Sequence, residues 1–394
     1  MKKLRVLFVT PDPGMGGSSQ SLLQLMLELR EKYNVTPIVL IPKHKGVTRN
    51  LAHYCCDKGI SCYTSKFYYF KTSKSIKEVI KYCLNLLFYY PLIIYKLRHE
   101  KIDIVHSNSS VIDVGLGISL VKHTKHVWHL REFGDLDFSL YPVFGYWYER
   151  FIYKHCNCFI AISKCIKQYY SAIIPEQNIK LVYNGVLCKS SNLDSRHNNK
   201  ELQFVMVGSI KSTKNQIEAL KAINIIRLWG YNNMKLNFVG SGDKKYKLEL
   251  QRYIRNHNLS ENVKFWGECD NVAQILSQMD VGLMLSKCEA FGRVTVEYML
   301  QNLLVIAADS GANEEIVTDG HTGYIYHLGD CYGLATKMRK CIDNKEDLIQ
   351  IAAAGKKHAI QYFSSTENTR LIYAIYQEEI SHKLSNNRIG SEYY

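Results

Sequence analysis

A chain of 394 residues, 46% of them hydrophobic, exceeds what one core usually organises, so we expect two domains of about 150 to 200 residues each. The formal charge of +14 and the pI near 9.1 indicate an acidic partner. Phosphorylated substrates or an anionic membrane surface fit better than nucleic acid, because no recognised nucleic-acid-binding module occurs in the chain. No apolar run reaches the roughly 18 residues of a membrane span and the N-terminus does not read as a signal peptide, so we expect a cytoplasmic protein.

The candidate metal ligands have the wrong spacing. The twelve cysteines include no Cys-x-x-Cys pair, and in a reducing compartment they are expected to be small buried apolar residues. His123, His126 and His129 do not share a strand face. Asp135 and Asp137 form an Asp-x-Asp pair, but they lie far in the sequence from the candidate nucleotide loops and are interpreted as surface carboxylates. We therefore predict no metal site.

The chain opens with an apolar strand, Leu4 to Val9, that runs into a glycine-rich turn containing Gly16 and Gly17. Apolar spacing from Leu22 to Leu29 predicts a helix directly after it. Such a turn lets the backbone approach a phosphate closely, although a tight turn without a ligand explains it equally well. The full Gly-x-Gly-x-x-Gly pattern is missing, which argues against a dinucleotide oxidoreductase.

The stretch from Lys66 to Glu100 departs from the alternation of strands and helices. It is aromatic, then lysine-rich at Lys71, Lys74, Lys77 and Lys81, and then almost wholly apolar from Leu84 to Tyr95. Pro91 is expected to break the apolar run, and the length of that run suits a segment lying in a membrane interface. A core helix beneath a surface helix is the alternative, and both interpretations stay open here.

Further strands of the first domain are predicted at 35–41, 102–108, 127–133 and 158–163. The segment 181–186, with an Asn-Gly turn, is predicted to close the domain. The strand at 127–133 carries His129 and Arg131, which point to the same side by the two-residue period. In parallel sheets, ligands bind beyond the carboxyl ends of the strands. His129 is therefore a candidate site residue, with an ordinary structural histidine as the alternative.

The polar segment 188–200 has little to bury and is predicted to be a linker. After it, Phe204 to Gly208 begins a second domain in the way that Val6 to Val9 began the first. The loop that follows carries Ser209, Lys211 and Lys214. Two further strand ends, at Gly240 and Gly267, also carry glycine.

The most informative stretch lies between Val281 and Leu304. An apolar strand, a short loop and a helix are predicted in that order, with Glu289 in the loop and Glu297 early in the helix. The backbone N–H groups of Gly292, Arg293 and Val294 would form the helix N-terminus, where a phosphate binds readily. The two carboxylates then suggest the two ends of one extended ligand, and a pair of solvated helix carboxylates is the alternative.

This stretch carries a resemblance over about sixty residues. Glu289-Ala290-Phe291-Gly292 through Glu297, then Val305 to Gly311, then Glu315-Ile316-Val317-x-Asp319-Gly320-x-x-Gly323, is similar to the C-terminal half of the GT4-type retaining glycosyltransferases. The resemblance implies an α/β protein of GT-B architecture, with two Rossmann-like doubly wound domains facing across a cleft. It also implies a metal-independent transfer from a nucleotide-diphospho-sugar to a glycan or a lipid-diphosphate-linked acceptor, as in cell-surface polysaccharide synthesis.

The resemblance also assigns roles. It implies catalytic roles for Glu289, His129 and Lys214, and places the base-reading backbone after Gly267. Ser209 stands where the family has an arginine, so one cation is missing, and Lys211 is the substitute that we consider. The implied donor contacts are Gly16, Gly17, Ser209, Lys211, Lys214, Gly240, Gly267, Phe291, Gly292, Arg293, Val294 and Glu297.

The expected domain organisation is an acceptor-side domain at 1–187, the linker at 188–200 and a nucleotide-sugar domain at 201–365. A helix at 366–385 should return to the first domain, ahead of a loose tail at 386–394. The basic, aromatic stretch around Lys71 suggests contact with the anionic inner face of the membrane. Three other classes remain: an epimerase or phosphorylase of the same architecture, a non-catalytic sugar-nucleotide-binding subunit of a membrane assembly, and a basic nucleic-acid binder.

Overall fold

The computed structural model describes residues 3–43, 50–73, 75–156, 158–187, 201–269 and 271–391, with side chains described up to residue 381. The chain divides into two compact units. One consists of Met1–Gly185 together with Ser365–Tyr394, and the other of Val186–Ser364. The predicted linker at 188–200 and Lys74 lie outside the described residues.

The first unit is built on a parallel sheet of seven strands in the order β3-β2-β1-β5-β6-β8-β9, beside a two-stranded antiparallel pair, β4 with β7. Its strands are β1 (Arg5–Val9), β2 (Thr36–Pro42), β3 (Ser61–Ser65), β4 (Lys71–Thr72), β5 (Ile104–Ser107), β6 (Lys125–Leu130), β7 (Tyr141–Pro142), β8 (Cys158–Ala161) and β9 (Ile179–Leu181). Its helices up to Gly185 are α1 (Gly17–Tyr33), α2 (Leu51–Asp57), α3 (Ile76–Leu84), α4 (Tyr90–Lys96), α5 (Val114–Lys122), α6 (Asp135–Phe138), α7 (Tyr146–Tyr153) and α8 (Lys164–Ser171).

The second unit repeats this plan with six parallel strands in the order β12-β11-β10-β13-β14-β15. They are β10 (Leu202–Val207), β11 (Met234–Val239), β12 (Val263–Gly267), β13 (Val281–Met284), β14 (Leu304–Ala308) and β15 (Tyr324–Tyr326). The helices are α9 (Gln216–Leu228), α10 (Lys244–Asn256), α11 (Val272–Leu276), α12 (Arg293–Leu300), α13 (Asn313–Ile316), α14 (Cys331–Asp343) and α15 (Lys345–Tyr362), and α16 (Ser365–Ser391) belongs to the first unit.

Both sheets are doubly wound, because the strand order reverses beside the first strand of each unit. The reversals fall between β1 and β5 and between β10 and β13. Ligands of such sheets bind at the carboxyl ends of the strands beside this reversal. The expected fold class is therefore confirmed for each unit, and it directs attention to the loops after β10 and β13.

The first sheet is buried on both faces. Val6 and Phe8 of β1 pack on one side with helices that include α16, and Leu7 and Val9 pack on the other side with α4 and α5. Continuous apolar strands of this kind are typical of parallel sheets covered by helices. The helix α16 extends to Ser391, past the predicted end at residue 385, so residues 386–391 are helical rather than the loose tail that we expected.

The end of the first domain and one edge strand need comment. The last strand, β9, ends at Leu181, at the start of the segment 181–186 that was predicted to close the domain. The strand β3 was missed because it lies at the edge of the sheet. Its sequence, Ser-Cys-Tyr-Thr-Ser, is only partly buried and has no apolar run.

The stretch after Ser75 is a nearly continuous helix rather than an interrupted one. A π-helix at Asn85–Tyr89 joins α3 to α4, and Pro91 lies in the first turn of α4. The wider π turn accommodates a proline that has no N–H to donate. Pro91 therefore does not end the helix, contrary to the prediction. Among the described helices, none combines the length and hydropathy that crossing a bilayer requires.

Candidate active site

Three glycines form the rim of the second sheet at the carboxyl ends of β10, β11 and β12. Gly208, Gly240 and Gly267 have φ angles of +141°, +136° and +74°, a region that side chains disfavour. A Cβ atom on Gly240 would lie 2.1 Å from the carbonyl oxygen of Gly208. Gly240 is therefore in close backbone contact with Gly208, whereas a Cβ atom on Gly208 or Gly267 would meet no atom within 4 Å.

The loop after β10 brings a lysine to a glutamate. A short 3-10 turn, Ser212–Lys214, ends at Asn215 in the left-handed conformation. Lys214 Nζ lies 2.8 Å from Glu289 Oε2, with 30% and 18% of the two side chains exposed. Ser209 is exposed near the start of the same loop. The sequence placed Lys214 and Glu289 in one site, but it did not predict that they would be ion-paired.

Glu289 is held from several sides. Its Oε1 accepts a hydrogen bond from the Gly292 N–H at 3.3 Å, and its carbonyl oxygen accepts one from the Ala312 N–H at 2.9 Å. Gly311 lies so close that a Cβ atom there would be 2.0 Å from the same carbonyl oxygen. The N–H of Lys287 also donates to the Thr213 carbonyl at 3.0 Å, joining this loop to the lysine loop. The Glu289 carboxylate is thus fixed before any ligand binds.

The helix α12 starts at this loop, as the sequence predicted, with Gly292 at its N-cap position and a φ of +85°. Arg293 Nε lies 2.9 Å from Glu297 Oε1 one turn on, so Glu297 sits beside a guanidinium. The first N–H groups of an α-helix have no partner inside the helix and attract anions. The site therefore joins Lys214, Arg293 and a helix N-terminus to two carboxylates.

Phe291 contributes to the core rather than to a ligand surface. Its side chain is 2% exposed and its ring meets the ring of Phe363 edge to face at 5.8 Å between centroids. The expectation of a donor contact therefore fails for its side chain and stays a prediction only for its backbone. The aromatic ring anchors the loop so that Gly292 reaches the start of α12.

The first unit holds the predicted histidine in a buried polar network. His129 is fully buried, and its Nδ1 lies 3.1 Å from His106 Nε2 and 3.5 Å from an Arg131 nitrogen. Burial is the main cause that lowers the pKa of His129, with the charge of Arg131 second. His129 and Arg131 share one side of the strand, as predicted. Within the described part of the chain, His129 Nε2 has no hydrogen-bond partner.

The network contains residues that the sequence did not single out. Arg131 donates from Nε to Asn108 Oδ1 and from a terminal nitrogen to Asn184 Oδ1, both at 2.7 Å. His106 Nδ1 lies 2.6 Å from the hydroxyl of Tyr376 on α16. His106 and Asn108 both lie within the last three residues of the predicted strand 102–108, and this position is the signal that could have identified them.

The glycine-rich turn before α1 is organised by a carboxylate. Asp12 Oδ1 accepts a hydrogen bond from the Gly14 N–H at 2.8 Å, and a Cβ atom on Gly16 would lie 3.2 Å from Asp12 Oδ2. Negative charge therefore already occupies the start of α1, which disfavours a second anion at the same place. Contacts from Gly16 and Gly17 to a donor stay a prediction.

Asp135 and Asp137 serve local structure. Asp137 accepts hydrogen bonds from the N–H groups of Phe133 and Gly134 at 3.0 and 2.8 Å, and Asp135 accepts one from the Tyr169 hydroxyl at 2.6 Å. Burial raises the pKa of Asp137 above its ordinary value. Among the described side chains, no group of three or more histidines, cysteines, aspartates or glutamates is arranged to hold a metal ion.

Two family models together match almost the whole chain. The model for Glycosyltransferase Family 4 matches residues 15–189, and the model for glycosyl transferases group 1 matches residues 189–358. This chain is a glycosyltransferase of the group 1, family 4 type. The predicted resemblance and the transferase class are therefore confirmed.

Similar proteins of known name fit this family. The chain is 23% identical over 238 residues to the Bacillus anthracis N-acetyl-alpha-D-glucosaminyl L-malate synthase, a match covering 58% of this chain and 61% of that enzyme. It is 26% identical over 220 residues to the Staphylococcus aureus capsular polysaccharide biosynthesis glycosyltransferase CapM, covering 52% of this chain and 57% of that protein. The crystal structure of Anabaena HepE in complex with UDP has a TM-score of 0.78 at 18% identity, covering 95% of this glycosyltransferase and all of HepE.

Proposed function

We propose that this glycosyltransferase moves a sugar from a nucleotide-diphospho-sugar to a glycan or lipid-linked acceptor in the synthesis of a cell-surface polysaccharide, with retention of anomeric configuration and without a metal ion. The observation that carries the proposal is the cluster of Lys214, Glu289, Arg293 and Glu297 around the N-terminus of α12. The UDP bound to HepE and the capsular role in the name of CapM support the donor class and the pathway class.

The leaving diphosphate gains negative charge as the glycosidic bond breaks. Lys214 and the N-terminus of α12 lie where fixed positive charge stabilises that leaving group, which is the role a metal ion plays in other transferases. Glu289 orients the Lys214 ammonium in advance, so little reorganisation accompanies the reaction. Glu289 would also hold sugar hydroxyls and steady the positive charge that develops at the anomeric carbon.

Glu297 would accept hydrogen bonds from the ribose hydroxyls of the donor. Arg293 Nε lies 2.9 Å from one oxygen of this carboxylate and fixes its orientation. Glu289 lies in the loop before α12 and Glu297 one turn inside the helix, so the two bracket the helix N-terminus. This arrangement fits a ligand with a sugar, a diphosphate and a ribose in line.

Sugar-nucleotide cleavage should continue undiminished in EDTA, because protein groups would meet the diphosphate charge. The assay follows loss of the nucleotide sugar by phosphorus NMR and the configuration of the first sugar product by proton NMR. A retained anomer in EDTA supports the proposal. Activity that disappears in EDTA and returns with manganese, or an inverted product, would contradict it. A sugar nucleotide that is bound but never consumed would indicate a binding subunit, and an epimerised one an epimerase.

The acceptor side of the proposal rests on an apolar surface of the first unit. The segment α3 to α4 exposes seven large apolar side chains, here called the α3–α4 face: Ile76, Ile80, Leu86, Leu87, Phe88, Leu92 and Tyr95, between 41% and 80% exposed. Lys77 and Lys96 are exposed on the same segment. An amphipathic helical surface with lysines beside it is typical of segments that lie on an anionic leaflet.

The structure corrects the residues of this surface. Lys71 is 3% exposed and its Nζ lies 2.5 Å from Glu149 Oε1, so it cannot face a membrane. The aromatic residues Phe67, Phe70 and Tyr82 are also buried, so the core interpretation is right for them. The large apolar side chains that are exposed in this stretch lie on α3, the π-helix and α4. The proposed contact with the cytoplasmic leaflet, where a lipid-diphosphate-linked acceptor would be met, therefore rests on these side chains.

Vesicle flotation tests this contact. We expect the protein to float with anionic vesicles and not with neutral ones, and to float less in high salt. Leu87→Asp with Phe88→Asp should abolish flotation, since burying one such side chain contributes about 1.5 to 3 kcal/mol. Lys77→Glu with Lys96→Glu should weaken it, because each lysine near the leaflet contributes about 1 kcal/mol.

The matched control is Leu228→Asp, which changes a leucine that is 79% exposed on the second unit and should float like the parent protein. Equal flotation of the parent and the Leu87→Asp, Phe88→Asp variant would exclude the α3–α4 face as the contact. Absence of flotation for the parent protein would exclude the membrane contact altogether while leaving the transfer reaction intact.

A further inference from the structure

A chain of hydrogen bonds links the C-terminal helix to His129. Tyr376 lies on α16, and its hydroxyl is 2.6 Å from Nδ1 of His106 on β5. Nε2 of His106 is 3.1 Å from Nδ1 of His129 on β6. All three side chains are fully buried, so water does not compete for these bonds. Each ring nitrogen along the chain must therefore be either a donor or an acceptor toward its fixed neighbour.

Arg131 determines which atoms donate and which accept in this series of hydrogen bonds. A guanidinium carries only donor groups and keeps its charge in proteins. A terminal nitrogen of Arg131 lies 3.5 Å from Nδ1 of His129, and Arg131 is held in place by Asn108 and Asn184. A positive N–H group beside Nδ1 favours a lone pair on that nitrogen rather than a proton. Nδ1 of His129 is therefore the acceptor.

The acceptor role of His129 Nδ1 determines where the other protons of the network lie. His106 must donate from Nε2 to His129, which leaves Nδ1 of His106 to accept from the Tyr376 hydroxyl. Burial lowers the pKa of both histidines, with the charge of Arg131 as the second cause, and burial raises the pKa of Tyr376. Both imidazoles are thus neutral and the phenol keeps its proton near pH 7. With Nδ1 accepting, the single proton of the His129 ring lies on Nε2.

The last nitrogen in this series of hydrogen bonds, Nε2 of His129, has no partner among the described residues. It is buried at the carboxyl edge of the first sheet. A buried N–H group without a partner is destabilising, so proteins seldom keep one without a use. A ligand oxygen would satisfy it.

We infer that His106 and Tyr376 are positioning residues that hold His129 in its Nε2–H tautomer, so that His129 donates a hydrogen bond to an oxygen of the substrate instead of acting as a base. The inference rests on the catalytic role that the resemblance implies for His129, and it adds two residues to which the resemblance assigned no role. The helix α16 then also contributes to the position of His129, because it carries Tyr376, whose hydroxyl donates to His106.

Two substitutions of His106 separate positioning from packing. His106→Phe keeps a planar ring but cannot donate to His129. His106→Gln can donate from its amide nitrogen to His129 while its amide oxygen accepts from Tyr376. We expect His106→Phe to lower kcat for sugar-nucleotide cleavage by roughly tenfold to a hundredfold, with the donor KM little changed. This loss is smaller than the hundredfold to ten-thousandfold, roughly, that a group transferring a proton contributes, because His129 only donates a hydrogen bond. His106→Gln should recover most of that loss.

Nitrogen NMR of the protein labelled with ¹⁵N-histidine reads the tautomer directly, with the His129 signals assigned by His129→Gln. The parent protein and His106→Gln should show a protonated Nε2 and an unprotonated Nδ1, and His106→Phe a mixture of both tautomers. Tyr373→Phe is the matched control on the same helix, since Tyr373 stacks on Tyr33 at 4.3 Å and takes no part in the network. It should leave both kcat and the tautomer unchanged.

A protonated Nδ1 on His129 in the parent protein would overturn the inference whatever the activity. So would a His106→Phe variant with the kcat of the parent, if His129→Ala lowers kcat. If His129→Ala itself leaves kcat unchanged, the proposed role of His129 fails first, and the inference fails with it. In either case the transfer reaction assigned to Lys214 and Glu289 would still stand.

Discussion

Replacing Lys214 by alanine is expected to lower kcat for sugar-nucleotide cleavage by about a hundredfold to a thousandfold, the range seen when one fixed group that stabilises a developing negative charge is removed. The charge of Lys214 lies beside Glu289 at 2.8 Å and near the N-terminus of α12, where the leaving diphosphate would sit. The donor KM should change less than kcat, because the charge on the phosphate grows only as the bond breaks.

The stability of the fold should hardly change in this variant. The pair is partly exposed, with 30% of the lysine side chain open to solvent, so its loss should cost less than about 1 kcal/mol in the free energy of unfolding. Lys357→Ala, which removes an exposed lysine from α15, is the control and should retain full kcat. Glu289→Ala should also lower kcat, and the losses of the two single variants should not add in the double variant. A Lys214→Ala enzyme with the parent kcat would remove the lysine from the mechanism.

Replacing Glu297 by alanine should instead weaken donor binding. A hydrogen bond to a charged group contributes about 1.5 to 3 kcal/mol, which corresponds to roughly a tenfold to a hundredfold increase in the donor Kd. The kcat at saturating donor should stay close to that of the parent, since the ribose is bound equally in the ground state and the transition state. The nucleoside diphosphate lacks the sugar, so calorimetric titration with it measures the loss of the ribose contact separately from any loss of sugar contacts.

The same titration should distinguish the two glutamates. Glu289→Ala should bind the nucleoside diphosphate nearly as the parent does, since its proposed contacts are to the sugar. Glu249→Ala removes an exposed glutamate from α10 and serves as the control. If Glu297→Ala and the parent protein bind the nucleoside diphosphate equally, Glu297 does not contact the ribose. The proposed orientation of the donor, with its ribose at Glu297 and its sugar at Glu289, is then wrong.

Local sequence signals were enough to predict the strand, loop and helix that carry the second unit's candidate site. An apolar run ending before Glu289, and helical spacing after Gly292, predict the strand, loop and helix that the structure contains. The glycines at 208, 240 and 267 likewise mark strand ends where the backbone takes a positive φ. Each of these features depends on residues only a few positions apart in the sequence. Prediction from sequence is strongest for such short-range patterns.

The pairings between distant residues could not be read in the same way. Lys71 looked like a surface cation, but its partner Glu149 lies 78 positions later and makes burial possible. Tyr376 approaches His106 from 270 positions away, so nothing in the local pattern of either residue indicates the other. Phe291 occupies a motif position, yet its ring packs against Phe363, a contact within the core of the second unit. In these cases the tertiary fold determines whether a side chain is buried and which residues it contacts.

The measurement that tests the central claim most directly is thermal unfolding of the protein with a panel of nucleoside diphosphates and their sugars. A ligand present at 100 times its Kd should add about 2.7 kcal/mol to the free energy of unfolding, which raises Tm by several degrees. We expect one nucleoside diphosphate and its sugar to do this for the parent protein, and to do so much less for Glu297→Ala. If no member of the panel raises the Tm of the parent protein, the assignment of the second unit as the nucleotide-sugar domain is contradicted.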